Sequence, residues 1–195
     1  MKNELRIIGG TWRGRKLRFP SVPGLRPTPD RVRETLFNWL QQNMVGLNCL
    51  DLYAGSGALG FEAASRGAIK VVQVERDGEA CAALKRHCSV LDAPQIEVIQ
   101  QDVTRFLAGR ANPFDVVFLD PPFQQNLIIP ACQLLEQNGW LKPQARVYLE
   151  TERTWPLEGL PETWQILRSK TAGEVGYHLC QRIENPGHAR NASDL

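Results

Sequence analysis

The chain has 195 residues, 43% hydrophobic and 23% charged, with a net charge of +2, a composition ordinary for a soluble globular domain with one sizeable core. No run of about 18 apolar residues is present, so no membrane span is expected. The opening Met-Lys-Asn-Glu-Leu-Arg lacks the apolar centre of a signal peptide, and a cytoplasmic protein is expected. The five cysteines (Cys49, Cys81, Cys88, Cys132, Cys180) are odd in number and without C-x-x-C spacing. They read as reduced, mostly buried thiols, with no metal site and no disulfide framework expected.

The small net charge conceals an asymmetry. Residues 1–33 sum to +7 and the remainder to −5. A basic extension on a mildly acidic body points to a polyanionic partner, with RNA or DNA the obvious class. Leu5 to Ile8 is a short strand candidate before Gly9-Gly10. Thr11 to Phe19 alternates basic residues with Trp12, Leu17 and Phe19, which predicts a β-hairpin with one charged face. Trp12 either stacks on a base or fills the hairpin's packing face, and packing is the expected role. Pro20 to Pro29 is proline-rich and reads as a loop. Thr28 before Pro29 is the expected N-cap of a helix whose apolar positions, Val32, Leu36, Phe37, Leu40 and Met44, carry it to about Met44. Arg31 and Arg33 lie outside that stripe.

From Leu47 strands and helices alternate. Strands are expected at Asn48–Tyr53, Lys70–Glu75, Ile96–Gln100, Asp115–Leu119 and Arg146–Glu150. Helices are expected at Ala58–Arg66, Gly78–Leu91, Val103–Ala108 and Leu127–Asn138. This predicts an α/β fold, a mostly parallel sheet with helices on both faces. Trp164–Ser169 and Glu174–Ile183, joined by Lys170–Gly173, are expected to close it as an antiparallel hairpin. Three segments follow: a basic extension of hairpin and helix at 1–45, a catalytic domain at 46–184 and a flexible tail at 185–195.

Cys49 to Gly60 organises the rest. An apolar strand ends near Tyr53, Gly55, Gly57 and Gly60 make a tight turn, and a helix begins at Ala58. Such a turn lets a ligand approach bare backbone N–H groups. Acidic residues stand at the predicted strand ends, where doubly wound sheets bind ligands. Glu75, 20 residues after Gly55, can accept both ribose hydroxyls. Asp102 can receive an adenine amino group or cap the following helix. Asp51 can bind a cationic amino group or brace the turn. A nicotinamide dinucleotide fits the same glycine spacing, but Asp51 would crowd its pyrophosphate, and no hydride-transfer site is evident. A sulfonium such as that of S-adenosylmethionine suits an acidic pocket better.

Asp120-Pro121-Pro122-Phe123 follows another strand. A nucleobase amine is a poor nucleophile because its lone pair is delocalised into the ring. A carboxylate and a nearby carbonyl accepting its two N–H groups would aim the lone pair at a methyl donor. Two prolines stiffen the turn, and Phe123 can stack on the base.

With those residues in view, the chain resembles a known group. Leu50-Asp51-Leu52-Tyr53-Ala54-Gly55-Ser56-Gly57 and Asp120-Pro121-Pro122-Phe123 resemble the two motifs of class I S-adenosylmethionine-dependent amino-methyltransferases. Gly9-Gly10, Gly14-Arg15-Lys16-Leu17 and the block Arg26 to Asn38 are similar to the N-terminal signature of the RsmD family. Phe123 departs from the tyrosine of many amino-methyltransferases, keeping the stacking face. The resemblance implies a Rossmann-like fold with a seven-stranded sheet, and methylation of the N2 amine of a guanine in small-subunit ribosomal RNA. It implies that Asp51, Gly55 and Gly57 hold the methionine and ribose side of the cofactor, Glu75 the ribose hydroxyls, and Asp102 with Val103 the adenine. Tyr53 and Arg76 complete the implied cofactor set. Asp120 and the Pro121 carbonyl, with Pro122 and Phe123, would hold the amine and ring. Arg13, Arg15, Lys16, Arg26, Arg31 and Arg33 would meet RNA phosphates, with Thr28 and Arg31 near the cofactor as a lid. The implied partner is ribosomal RNA in an assembled or assembling small subunit; no membrane partner is expected, and nothing in the sequence demands more than a monomer.

Two other readings share these motifs. An adenine-N6 methyltransferase acting on DNA or RNA has the same loop and clamp, although no separate target-recognition domain is evident. A nucleic-acid-binding module with a degenerate cofactor site is opposed by intact Asp51, Glu75 and Asp120. Neither His87, expected to be exposed on its helix, nor His178 has a partnered arrangement for covalent catalysis.

Overall fold

The computed structural model describes residues 3–21, 28–41, 44–122 and 126–183. A short antiparallel pair, β1 (Glu4–Arg6) and β2 (Lys16–Arg18), leads into helix α1 (Asp30–Trp39). The body then runs β3 (Asn48–Leu52), α2 (Ala58–Ser65), β4 (Lys70–Glu75), α3 (Gly78–Leu91), β5 (Ile96–Gln100), α4 (Val103–Leu107), β6 (Phe114–Leu119), α5 (Ile128–Gln137), β7 (Leu141–Glu152), β8 (Trp164–Ala172) and β9 (Val175–Arg182). The seven body strands form one sheet in the order β5-β4-β3-β6-β7-β9-β8. Its first five positions are parallel, and β9 and β8 join antiparallel. Strand order reverses between β3 and β6, so the crevice for a ligand opens at their carboxyl ends.

Side-chain alternation divides the core in two. Cys49, Val71, Val116, Phe118, Tyr148 and Leu179 face one cluster with the N-terminal hairpin, α1 and α2. Leu50, Val72, Val117, Leu149 and Cys180 face the other, with α4 and α5. The two faces are thus read off successive residues of the same strands. Among the described residues no helix is long and apolar enough to cross a membrane, and the five cysteines are free thiols.

Several expectations shift. The hairpin pairs Leu5 with Leu17, so Thr11 to Arg15 is its connection and not one of its strands. Helix α1 stops at Trp39 because Gln41 turns the chain at φ 62°, while Leu40 and Met44 still pack into the core. The N-cap is Pro29, and no side chain caps the helix. Strand β7 starts earlier than expected, with Pro143 and left-handed Gln144 (φ 62°) absorbed in an irregularity of its pairing with β6. Strands β8 and β9 are joined more tightly, with Ala172 opposite Val175. His87 is half-buried, its Nε2 2.7 Å from the Arg18 carbonyl oxygen. Arg26, Phe123 and the expected tail lie outside the described residues.

Candidate active site

The site grows from the end of β3. Tyr53 (φ 61°), Gly55 (φ 56°) and Gly57 (φ 79°) occupy the left-handed region, a conformation that tyrosine rarely adopts. A Cβ on Gly57 would stand 2.5 Å from Phe61 and 2.6 Å from Leu84, so only glycine fits the turn. Gly60 serves close packing instead, since a Cβ there would come within 2.4 Å of Gln73 Nε2 and 2.9 Å of Asp51 Oδ2.

Asp51 is buried, and its Oδ2 accepts the Gly60 N–H at 2.9 Å. Burial pushes its carboxyl up to about 8, with the Glu75 charge adding to the rise and the Gly60 and Gln73 hydrogen bonds opposing it. Its structural part is therefore the brace of the glycine turn. Glu75 braces the loop as well. Its Oε2 accepts from Gly55 N–H and its Oε1 from Asp77 N–H, both at 2.9 Å. Each oxygen keeps a lone pair for a further donor. Asp102 caps α4, its Oδ1 accepting from the backbone of Thr104 at 2.9 Å and of Arg105 at 3.1 Å. It is exposed, with buried Val103 behind it and exposed Arg76 on the next strand's end. The Tyr53 hydroxyl is buried without a hydrogen-bond partner, and burial raises it to about 12.

Asp120, Pro121 and Pro122 follow β6. Asp120 belongs to the same strand face as Phe118, whose register partners are Asp51 and Tyr148. The Thr28 hydroxyl donates to Asp120 Oδ2 at 3.4 Å. Thr28 thus meets Asp120 and does not cap α1. Burial drives the Asp120 carboxyl well above the usual carboxylate range, with the charges of Glu150 and Asp51 adding to it.

Sequence reasoning missed Glu150 and Tyr148. Glu150 is 4% exposed at the end of β7, and the Tyr148 hydroxyl donates to its Oε1 at 2.9 Å. Burial raises the Glu150 carboxyl to about 7. The signal was there to find: a carboxylate ending an apolar strand, the logic that singled out Glu75.

The basic residues divide. Arg13, Arg15, Lys16 and Arg31 are exposed. Lys16 Nζ pairs with Glu4 at 2.9 Å, and Arg15 Nη2 donates to the Val90 carbonyl at 3.4 Å. Arg13 lines an open cavity of about 650 Å³ with Gly9, Gly10, Ser65 and Arg66, at the carboxyl end of α2 and away from the glycine loop. Arg33 is withdrawn from the RNA role. It is 1% exposed, pairs with Asp30 and Glu62, and donates to the carbonyls of Thr28 and Arg6. A guanidinium so enclosed cannot reach a phosphate.

A parallel sheet closed by an antiparallel hairpin, with a glycine turn and carboxylates at the switch point, defines a Rossmann-like methyltransferase. The chain's residues 5–181 match the family described as "Conserved hypothetical protein 95". It is 48% identical over 179 residues to ribosomal RNA small subunit methyltransferase D of Escherichia coli, covering 92% of this chain and 90% of that protein. The Haemophilus influenzae protein of the same name is 52% identical over 184 residues, covering 92% of this chain and 95% of that one. A solved structure of a putative methyltransferase from Escherichia coli superposes with a TM-score of 0.85 at 44% identity, covering 92% of this chain and 98% of that chain. The chain belongs to the RsmD family of ribosomal RNA methyltransferases, and the cofactor is S-adenosylmethionine. The donor set fits that group: carboxylates for a cation and for ribose hydroxyls, a glycine turn that a Cβ would fill, and an orphaned tyrosine hydroxyl beside it.

Proposed function

We propose that the protein methylates the exocyclic N2 amine of one guanine in small-subunit ribosomal RNA. The observation that carries this reading is the rigid Asp120-Pro121-Pro122 turn, set at the end of the strand adjacent to the glycine loop. Asp51, Tyr53, Gly55, Gly57 and Glu75, with Arg76, Asp102 and Val103 at the neighbouring strand ends, hold the cofactor. S-adenosylmethionine, when bound, supplies a methyl group on a cationic sulfur.

The chain's own part is orientation. Asp120 and the Pro121 carbonyl accept the two amine N–H groups, which localises the nitrogen lone pair and aims it across the crevice. Phe123 holds the ring face. The uncompensated carboxylates favour a cation before transfer more than the neutral thioether after it. The base is unpaired or flipped to enter the crevice. Arg13, Arg15, Lys16, Arg26 and Arg31 meet phosphates, so the 1–45 extension lays RNA over the 46–184 catalytic domain. The protein acts as a cytoplasmic monomer on an assembled or assembling small subunit.

Labelled S-adenosylmethionine offered with undermethylated small subunits, free small-subunit RNA and DNA tests this. Label recovered in N2-methylguanosine supports the reading, and the subunit-to-RNA ratio reports the form recognised. Label in N6-methyladenine replaces it.

A further inference from the structure

The register of the sheet sets two carboxylates side by side. Leu119 of β6 is opposite Leu149 of β7, so Asp120 and Glu150 follow as neighbours on adjacent parallel strand ends. Alternation puts them on the face that carries Asp51 and Tyr148. Among the described residues no lysine or arginine forms an ion pair with Glu150. Its hydrogen-bond partner is the Tyr148 hydroxyl at 2.9 Å, and Thr28, which also acts on it electrostatically, has its Oγ1 3.4 Å from Asp120 Oδ2. A hydroxyl between two carboxylates can bridge them, accepting a proton from one and donating its own to the other.

We propose that Glu150 is a proton-accepting positioning residue that acts through Asp120 and the Thr28 hydroxyl. The proposal rests on the amine-methylation reading of the clamp. A nitrogen that gains a methyl group must shed one proton. The N–H bond breaks with its electron pair left on nitrogen, and the proton forms an O–H bond on Asp120. Asp120 passes a proton to Thr28 Oγ1, which releases its own to Glu150. Asp120 is again a carboxylate, Thr28 is unchanged, and Glu150 holds the proton until product leaves and solvent takes it. Tyr148 fixes the Glu150 carboxyl in place for this.

The groups facing Glu150 define its titration. They are Asp120 from β6, Tyr148 on its own strand, Tyr177 opposite it on β9, and Thr28 ahead of α1, with Asp51 of β3 acting on Asp120. Glu75 of β4 acts on Asp51 in turn. Arg33 of α1 does not neutralise the set, being committed to Glu62, Asp30 and two carbonyls. Burial and mutual repulsion hold both carboxyls above the usual carboxylate range.

Glu150→Gln keeps the shape and removes the proton sink. It is expected to lower single-turnover transfer about 100-fold, the low end of a general-base contribution, and to move the acid limb of the rate to lower pH. Calorimetric affinity for S-adenosylmethionine stays within about twofold, because Glu150 addresses the amine side. A readout independent of transfer is carboxyl carbon-13 NMR of the protein without substrate: the Glu150 titration disappears and the raised Asp120 titration moves to lower pH. Wild-type rate and an unmoved acid limb, or unchanged titrations, overturn the proposal. Should Glu150→Gln not fold, Thr28→Val breaks the bridge instead, with the same expected loss and the same overturning result. Label in a different exocyclic amine with a normal Glu150 effect refutes the guanine reading alone.

Discussion

The protein buries carboxylates in two ways. Glu62 of α2, 0% exposed, is fully compensated: its oxygens accept from Ile8 N–H at 2.9 Å and Gly9 N–H at 2.8 Å, and pair with Arg33 at 3.4 Å and Arg66 at 2.8 Å. Buried Asp51 and Glu150 and half-buried Asp120, on one face of the sheet, have no ion-pair partner among the described residues. The first arrangement joins hairpin, α1 and α2 into one body. The second leaves charge uncompensated where a cation and an amine are to bind. Compensation marks structure, and its absence marks the reactive crevice.

Mutation separates the two. Glu62→Gln leaves two buried guanidiniums short of a charge and costs about 3–5 kcal/mol of folding stability, read by chemical denaturation. A loss below about 1 kcal/mol would place Glu62 with surface pairs. Asp120→Ala is expected to slow transfer about 10²–10³-fold while stability holds, because no ion pair is lost. Its affinity for S-adenosylmethionine should be nearly intact, and a parallel loss of affinity would move Asp120 to the cofactor side.

Gly60→Ala probes the seam between the brace and the crevice. Its Cβ meets Gln73 and Asp51, which predicts a loss of about 1–3 kcal/mol together with weaker cofactor binding. Normal binding at reduced stability would detach the Asp51 brace from the site.

The pH response should differ too. Asp51 titrates near 8 in the folded chain and Glu150 near 7, against ordinary values of 3.8 and 4.5. The folded state therefore binds more protons than the unfolded one across that window. These groups stabilise the protein below the ordinary values, and that contribution is lost as pH rises towards 8. Thermal melts of ligand-free Asp51→Asn should fall less than wild type between pH 6 and 8.5. Binding a cation beside these groups should release protons, seen as a calorimetric heat that varies with the buffer's ionisation enthalpy. The smallest effect is expected at the arm. Charge reversal at Arg15 and Lys16 should weaken RNA binding and flatten its salt slope by about 1 per lost contact, and an unchanged slope takes the arm out of the interface.

Much of this was legible in the chain because it is local. The glycine turn, the strand-end acids and the strand–helix alternation are written within stretches of ten or twenty residues. Arg33 was misread for the opposite reason. Periodicity sets a charged residue beside an apolar stripe on the wet side, and its partner Glu62 lies 29 residues away. Glu150 carried the local signal of an acid ending an apolar strand, but its pairing with Asp120 on the adjacent strand is not local. Pro143 concealed the start of β7 because a sequence cannot show that the sheet tolerates a bulge there.

The first residues of the chain are stapled to α2 more than fifty positions later, through Ile8 and Gly9 on Glu62 and through Trp12 on Ser65. During synthesis the arm emerges long before those anchors. At about 5–20 residues per second, it stays without its tertiary partners for several seconds, a basic peptide exposed to every polyanion nearby. Ordering of the arm is thus a wait for α2, whose Glu62 and Ser65 supply its anchors.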